Sequence, residues 1–229
     1  LLLVARRQDK LETVAKSIRE NHGVEVDVFP ADLSLRDAPQ AIFEYAKARD
    51  LEIAYLVNNA GSAGPSLLEE PDWAPQAAFL ELMMISAAHL CHCFIPPMKA
   101  RNFGRVVNVA SFAGRIARPA GGHYGPSKAY LIALSEELAL MLRGTNVHVS
   151  ALCPGFTHTD FHAVAGLEEM KAALPGLVWY DAETVVREGL EAVEKNKPIM
   201  VSGRIYRWLD PLAQSVFVRP ILKALAPGR

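Results

Sequence analysis

The sequence predicts a doubly wound α/β fold, a parallel sheet covered by helices on both faces. Short β-rich runs alternate with helical segments along the whole chain, and those runs scarcely alternate between polar and apolar residues. Strands buried on both faces have that composition, because each face packs against helices. Polar residues also gather directly after the runs: Arg6 and Arg7, Asp32, Asn58 to Gly61, Ser111, and Pro154 to Thr159. In parallel sheets the carboxyl ends of the strands are where ligands bind.

The predicted strands are LLLVA (1–5), VEVDVF (24–29), IAYLV (53–57), RVVNVA (105–110), NVHVSALC (146–153) and PIMVS (198–202). Helices are predicted between them near 8–21, 35–49, 72–100, 124–143, 181–195 and 205–225. Ser34 with Asp37 three residues on resembles a capping box for the second helix. Leu82 to Met98, free of Asp, Glu, Lys and Arg, holds two histidines and runs into Pro96-Pro97, so it reads as a buried helix rather than a membrane span. SKAYLIALSEELALML has apolar surface enough for the sheet and for a subunit contact. No internal repeat, low-complexity tract or interdomain linker interrupts the pattern.

With 229 residues, 51% hydrophobic and 21% charged, the chain suits one globular domain with a large core. A net charge of −1 and a pI near 6.7 supply no basic field for nucleic acid or an anionic membrane. LLLVARR lacks the basic flank and small-residue cleavage site of a signal peptide. Cys91, Cys93 and Cys153, an odd number without a secretory signal, point to reduced thiols and a cytoplasmic protein.

The chemistry concentrates in NVASFAGRIARPAGGHYGPSKAY, where Ser111 precedes Tyr124 and Lys128 follows one helical turn later. A tyrosine and a lysine at i and i+4 share a helix face, so the ammonium can favour phenolate over phenol. A hydroxyl that holds a carbonyl oxygen, a phenol that passes it a proton and a cation that tunes the phenol make an acid/base set. Alone, Tyr124 and Lys128 also suit an ordinary helix surface. With NNAG at Asn58 to Gly61 and CPGFTHT at Cys153 to Thr159, the chain resembles the short-chain dehydrogenase/reductase family over essentially its whole length.

That resemblance implies a single nucleotide-binding domain of the Rossmann type over 1–229, with a cofactor half at 1–155 and a substrate lid and C-terminal region at 156–229. It implies hydride transfer between a nicotinamide cofactor and a carbonyl or secondary alcohol, with Ser111, Tyr124 and Lys128 catalytic and Lys128 also bonded to the nicotinamide ribose. Asn59, Ala60 and Gly61 are expected against the adenosine ribose, although NNAG is also a common Asn/Gly turn. Asp32 and Leu33 are expected near the adenine, where Asp32 suits a helix-entry turn equally well. Pro154 and Gly155 would pass close to the nicotinamide, Thr157 would bond its carboxamide and Thr159 a phosphate. Arg6 and Arg7 beyond the first strand suit a ribose 2′-phosphate, so NADP(H) is expected over NAD(H).

Two features depart from the family pattern. No glycine-rich turn precedes LLLVA, so the chain reads as starting at the second strand of the fold, with the first strand and its turn absent; about thirty residues are expected to precede Leu1. In the strand order 3-2-1-4-5-6 the absent strand is central, which leaves two strands without a neighbour. The asparagine that usually supports a proton relay falls on Met83, whose thioether is at best a weak acceptor; Ser86 is the nearest polar candidate. A nucleotide-binding or regulatory protein with little turnover is therefore the alternative, followed by a structural module that binds no nucleotide.

In the lid, Phe156, Phe161, Leu174, Val178 and Trp179 suggest an apolar pocket for a hydrophobic substrate, though each also suits a core position. His89, His92 and Cys93 share a helix face, yet no fourth zinc ligand is evident and no metal is expected. A homodimer or homotetramer through the helices at 72–100 and 124–143 is expected from the resemblance. The tail from Ile205 onward mixes aromatic, apolar and basic residues, as a pocket cover, subunit contact or membrane-surface helix would; Pro211 and Pro220 are expected to interrupt it.

Overall fold

The computed structural model describes residues 1–116, 122–159 and 175–220. Strands β1 (Leu2–Ala5) and β2 (Asp27–Pro30) pair in parallel, with helix α1 (Gln8–His22) between them. Four further parallel strands, β3 (Tyr55–Asn58), β4 (Gly104–Val109), β5 (Val147–Pro154) and β8 (Ile199–Ser202), form a second sheet in the order β3-β4-β5-β8. The intervening helices are α2 (Ala38–Ala48), α3 (Trp73–Leu80), α4 (Ser86–Ala100), α5 (Tyr124–Met141) and α6 (Ala182–Glu194), and α7 (Arg204–Gln214) follows β8. This is the expected parallel α/β architecture, and every predicted strand overlaps an observed one.

No ladder joins β1 to β3, yet the β1–β2 pair does not hang apart. Leu2 and Val4 of β1, Phe29 of β2 and Leu33 pack with Leu56 of β3 into one apolar cluster built around Ile42, Leu90, Phe94 and Val106. The two strands thus lack a strand neighbour in the second sheet, as expected, but pack against it. Side chains of α2 and α4 join the two sheets where backbone hydrogen bonds do not.

Strand β4 sits between β3 and β5 and is almost wholly buried. Of its two buried polar residues, Arg105 and Asn108, Asn108 accepts from Asn58 Nδ2 at 2.8 Å and donates to Ser135 Oγ at 2.9 Å. Ser135 donates in turn to the Leu131 carbonyl. This buried chain ties β3, β4 and α5 together, and losing any link strands a desolvated partner at a cost of about 1–3 kcal/mol.

Helices α3 and α4 are continuous through a π turn at Glu81–Ile85. The whole span, Trp73–Ala100, is long and apolar enough to cross a membrane, but half of its most apolar stretch is buried in the protein. Ala87, Leu90, Cys91, Phe94, Ile95 and Met98 face the core, as expected for a buried helix.

Three expectations need correction. Ser34 does not cap a helix: its amide and hydroxyl both donate to Asp32 Oδ1, at 2.9 and 2.7 Å, and α2 starts only at Ala38 with Pro39 in its first turn. Phe156–His158 (β6) pairs in parallel with Trp179–Asp181 (β7), a small sheet that the sequence reading did not contain. The C-terminal helix is shorter than 205–225. It continues through Pro211 and breaks at Ser215, whose backbone is extended.

Candidate active site

Ser111 ends β4 in extended conformation and opens a single 3₁₀ turn, Phe112–Gly114, its Oγ accepting from the Ala113 amide at 3.1 Å. That turn lies directly on the start of α5. A Cβ at Gly114 would stand 2.7 Å from the backbone of Lys128 and Ala129, and one at Gly125 would stand 3.2 Å from the Ala113 carbonyl. The serine-bearing turn and the helix that carries Tyr124 and Lys128 are therefore in backbone contact, with glycine required for the approach at Gly114.

Lys128 is 5% exposed and donates to the Val109 carbonyl at 2.7 Å. Its Nζ lies 5.8 Å from the centre of the Tyr124 ring. Burial lowers its pKa from 10.5 to about 8. A lysine held dry beside a phenol is the arrangement that the i, i+4 spacing foretells. The turn that Ser111 opens thus lies against the helix on which Lys128 sits beside the Tyr124 ring.

Across from Lys128 stands the loop after β3. Asn59, Ala60 and Gly61 are exposed just beyond the strand end. A Cβ at Gly61 would lie 3.2 Å from Met83 Sδ and 3.8 Å from Lys128 Nζ. Met83, in the π turn, is 1% exposed, and the Ser62 amide donates to its sulfur at 3.4 Å. The Met83 sulfur and the Lys128 ammonium thus both flank Gly61. Ser86 does not take over: it is buried and its hydroxyl donates to the Leu82 carbonyl at 2.8 Å.

At the end of β5, Pro154 and Gly155 reach the same end of the sheet. The Cβ direction at Gly155 is occupied by Tyr206 of α7, since a Cβ there would stand 1.9 Å from its ring. The Tyr206 hydroxyl accepts from the Phe156 amide at 3.2 Å and donates to the Val178 carbonyl at 2.9 Å. Thr157 donates to the Gly155 carbonyl at 3.2 Å, and Thr159 is exposed beyond β6. Trp179 is a core residue rather than a pocket wall, stacked on His158 at 5.2 Å and packed on Phe156 at 5.1 Å. Phe156 and Val178 also pack on the core, while Phe161 and Leu174 lie outside the described residues.

Three interactions at this end were missed by the sequence reading. Arg115, just past the Ser111 turn, makes a two-pronged ion pair with Asp210 of α7, and Gln214 donates to the Arg115 carbonyl at 2.6 Å. Tyr206 packs on Phe112, ring centres 5.1 Å apart. No motif links residues this far apart in sequence, so only the fold reveals that α7 braces the serine turn.

On the other sheet, Arg6 and Arg7 are exposed beyond β1. The Asp32 carboxyl is held below its ordinary pKa by hydrogen bonds from the Ser34 amide and hydroxyl, with Arg6 adding its charge. Asp32 and Leu33 follow β2 at the same edge. His89 and His92 lie with ring centres 6.5 Å apart, while Cys93 turns to Gln40 on α2. Among the described residues no three His, Cys, Asp or Glu side chains gather as metal ligands.

These groups fit a nicotinamide dinucleotide in part. An ammonium with three donors, one spent on Val109, faces the small residues after β3 and suits ribose hydroxyls. Arg6 and Arg7 suit a phosphate at the opposite end. A glycine-rich pyrophosphate cradle is not among the 229 residues.

The profile of the family described as short chain dehydrogenase matches residues 1–169. The chain is 35% identical over 214 residues to the uncharacterized oxidoreductase YvrD of Bacillus subtilis, covering 90% of this chain and 75% of that protein. It is 30% identical over 159 residues to the 7β-hydroxysteroid dehydrogenase of Collinsella aerofaciens, covering 69% of this chain and 60% of that enzyme's length. A short-chain dehydrogenase from Sphingobium yanoikuyae in complex with NADPH superposes with a TM-score of 0.80 at 25% identity, covering 99% of this chain and 86% of that one. One from Burkholderia phymatum in complex with NAD superposes at 0.83 with 23% identity, covering 100% and 88%. With a parallel α/β sheet, a serine-bearing turn seated on a Tyr-x-x-x-Lys helix, and a family profile matching across the first 169 residues, the chain belongs to the short-chain dehydrogenase family of oxidoreductases.

Proposed function

We propose that this oxidoreductase moves a hydride between NADP(H) and a hydrophobic ketone or secondary alcohol, with Tyr124 as the general acid/base. The observation that carries the reading is the buried Lys128 ammonium beside the Tyr124 ring on the helix that seats the Ser111 turn. The nicotinamide supplies the hydride chemistry when bound. Ser111 Oγ holds the substrate oxygen and stabilises charge that develops on it. Tyr124 gives that oxygen its proton during reduction and removes it during oxidation. Lys128 lowers the cost of the phenolate and holds the nicotinamide ribose, with Asn59, Ala60 and Gly61 against the adenosine ribose. Pro154 and Gly155 pass close to the nicotinamide, with Thr157 bonding its carboxamide and Thr159 a phosphate.

NADP(H) over NAD(H) rests on Arg6 and Arg7 at the end of β1, with Asp32 and Leu33 beside the adenine. The domain division, cofactor residues in 1–155 and lid and C-terminal region in 156–229, belongs to the same reading. Three buried, unpaired cysteines agree with a reducing, cytoplasmic setting. A homodimer or homotetramer fits the exposed Ile85, Leu140 and Met141 of the long helices.

The alternative, a nucleotide-binding protein with little turnover, is favoured by one observation: the Met83 thioether fills the place of a relay amide. The two readings separate in a measurement of NADPH consumption by the full-length protein over a panel of ketones, beside Tyr124→Phe. Loss of at least about 100-fold in kcat on removing the phenol is expected for a general acid. Activity untouched by the substitution would refute the mechanism, and saturable NADPH binding without turnover by the wild type would favour the alternative.

A further inference from the structure

Helix α7 is amphipathic in an unusual sense, with an apolar face turned outward. Its inner side carries Tyr206, Asp210 and Ala213, which pack on the serine turn and core. The opposite side and the chain after it carry Trp208, Leu212, Val216 and Phe217, with Trp208 82% and Phe217 83% exposed. Arg204 and Arg219 flank them, both exposed. The acid of this segment, Asp210, is paired inward with Arg115, and Arg207 is paired with Glu188. Contiguous exposed aromatic and aliphatic side chains are rare on a surface with no partner.

The geometry points to an anionic lipid surface as the partner of this face. Trp, Phe and Leu on one side with arginines at the rim is the composition that seats a helix at the headgroup boundary. Charge selects the occupant. With Asp210 paired inward, Arg204 and Arg219 present uncompensated positive charge, and the sequence adds Lys223 and Arg229 with no further acid. A two-fold contact between copies would gather the arginines of both copies around one apolar interface with no acid of this segment to offset them, whereas phosphatidylserine headgroups attract them. The chain's overall charge of −1 gives no hint of this, because the positive charge is local. Since α7 also braces the Ser111 turn, the bilayer would lie about one helix diameter, roughly 10 Å, from the serine.

The inference goes beyond hydride transfer and is read without it. The full-length protein is sedimented with vesicles of phosphatidylcholine alone or with about one third phosphatidylserine, at low and high salt. Pelleting with the anionic vesicles, reduced by salt, is expected. Trp208→Glu with Phe217→Glu should lower partitioning at least tenfold, and Arg204→Glu with Arg219→Glu should abolish the preference for phosphatidylserine. Circular dichroism and NADPH binding of the variants distinguish lost docking from lost folding. Failure to pellet with either vesicle overturns the proposal, as does partitioning that the folded variants leave unchanged. Concentration-dependent self-association that Trp208→Glu with Phe217→Glu removes, without vesicle binding, would assign the face to a second copy instead.

Discussion

Burying the Lys128 ammonium costs the fold stability at neutral pH, a cost that the proposed chemistry would explain. Its pKa is about 8 in the folded protein against 10.5 when solvated, so the unfolded chain binds more protons between those values and stability rises with pH across that window. The penalty is fully present below pH 8 and is of order 3 kcal/mol. Lys128→Met should therefore raise the melting temperature at pH 7, with the gain fading from about pH 8 and gone above about 10.5, while NADPH oxidation is lost; thermal scans at several pH values check it. A variant no more stable than the parent at pH 7 would show that the Val109 bond already offsets the burial. The Tyr124–Lys128 pairing was legible in the sequence because helical geometry fixes it locally. That Met83 touches the same space was legible only as a position counted from the family pattern. Its contact with the Ser62 amide and its closeness to Lys128 come from the π turn, which no local spacing announces.

Gly155 shows what the element scale adds. The proline-glycine pair after β5 marks a turn, but glycine is needed there because α7 lays the Tyr206 ring where a Cβ would be. Gly155→Ala should destabilise the fold by about 1–3 kcal/mol through overpacking. Tyr206→Ala should recover part of that loss in the double variant, a coupling read from urea denaturation of the four proteins. Additive losses would mean that the ring moves aside freely. Elements with strong periodicity or unbroken apolar runs were found within a few residues, whereas β6, β7 and the break at Ser215 were not. Strands as short as Phe156–His158 carry too few residues for a period to register. Ser34 misled as a cap because the Asp32 carboxylate captures its amide and hydroxyl first.

At the scale of the whole molecule, the residues proposed to hold cofactor and substrate are divided between two sheets. Arg6, Arg7 and Asp32 end one, while Asn59 to Gly61, Ser111 and Pro154 end the other, and side-chain packing from α2 and α4 aligns them. Replacing Arg6 and Arg7 together by alanine should weaken NADPH binding at least tenfold and NADH binding much less, as expected for losing charge-assisted contacts to a 2′-phosphate. Fluorescence titration of both nucleotides checks this, and equal weakening would place the arginines elsewhere in binding. By itself the sequence determined the parallel α/β class, the gathering of polar residues at the strand ends and the Tyr124–Lys128 pair, because burial patterns and helical spacing are local properties of the chain. Only the tertiary structure decided that α7 braces the Ser111 turn through Asp210 and Tyr206, and that packing rather than a ladder joins the two sheets. Those contacts link residues that are distant along the chain, and their energy exists only once the core has closed.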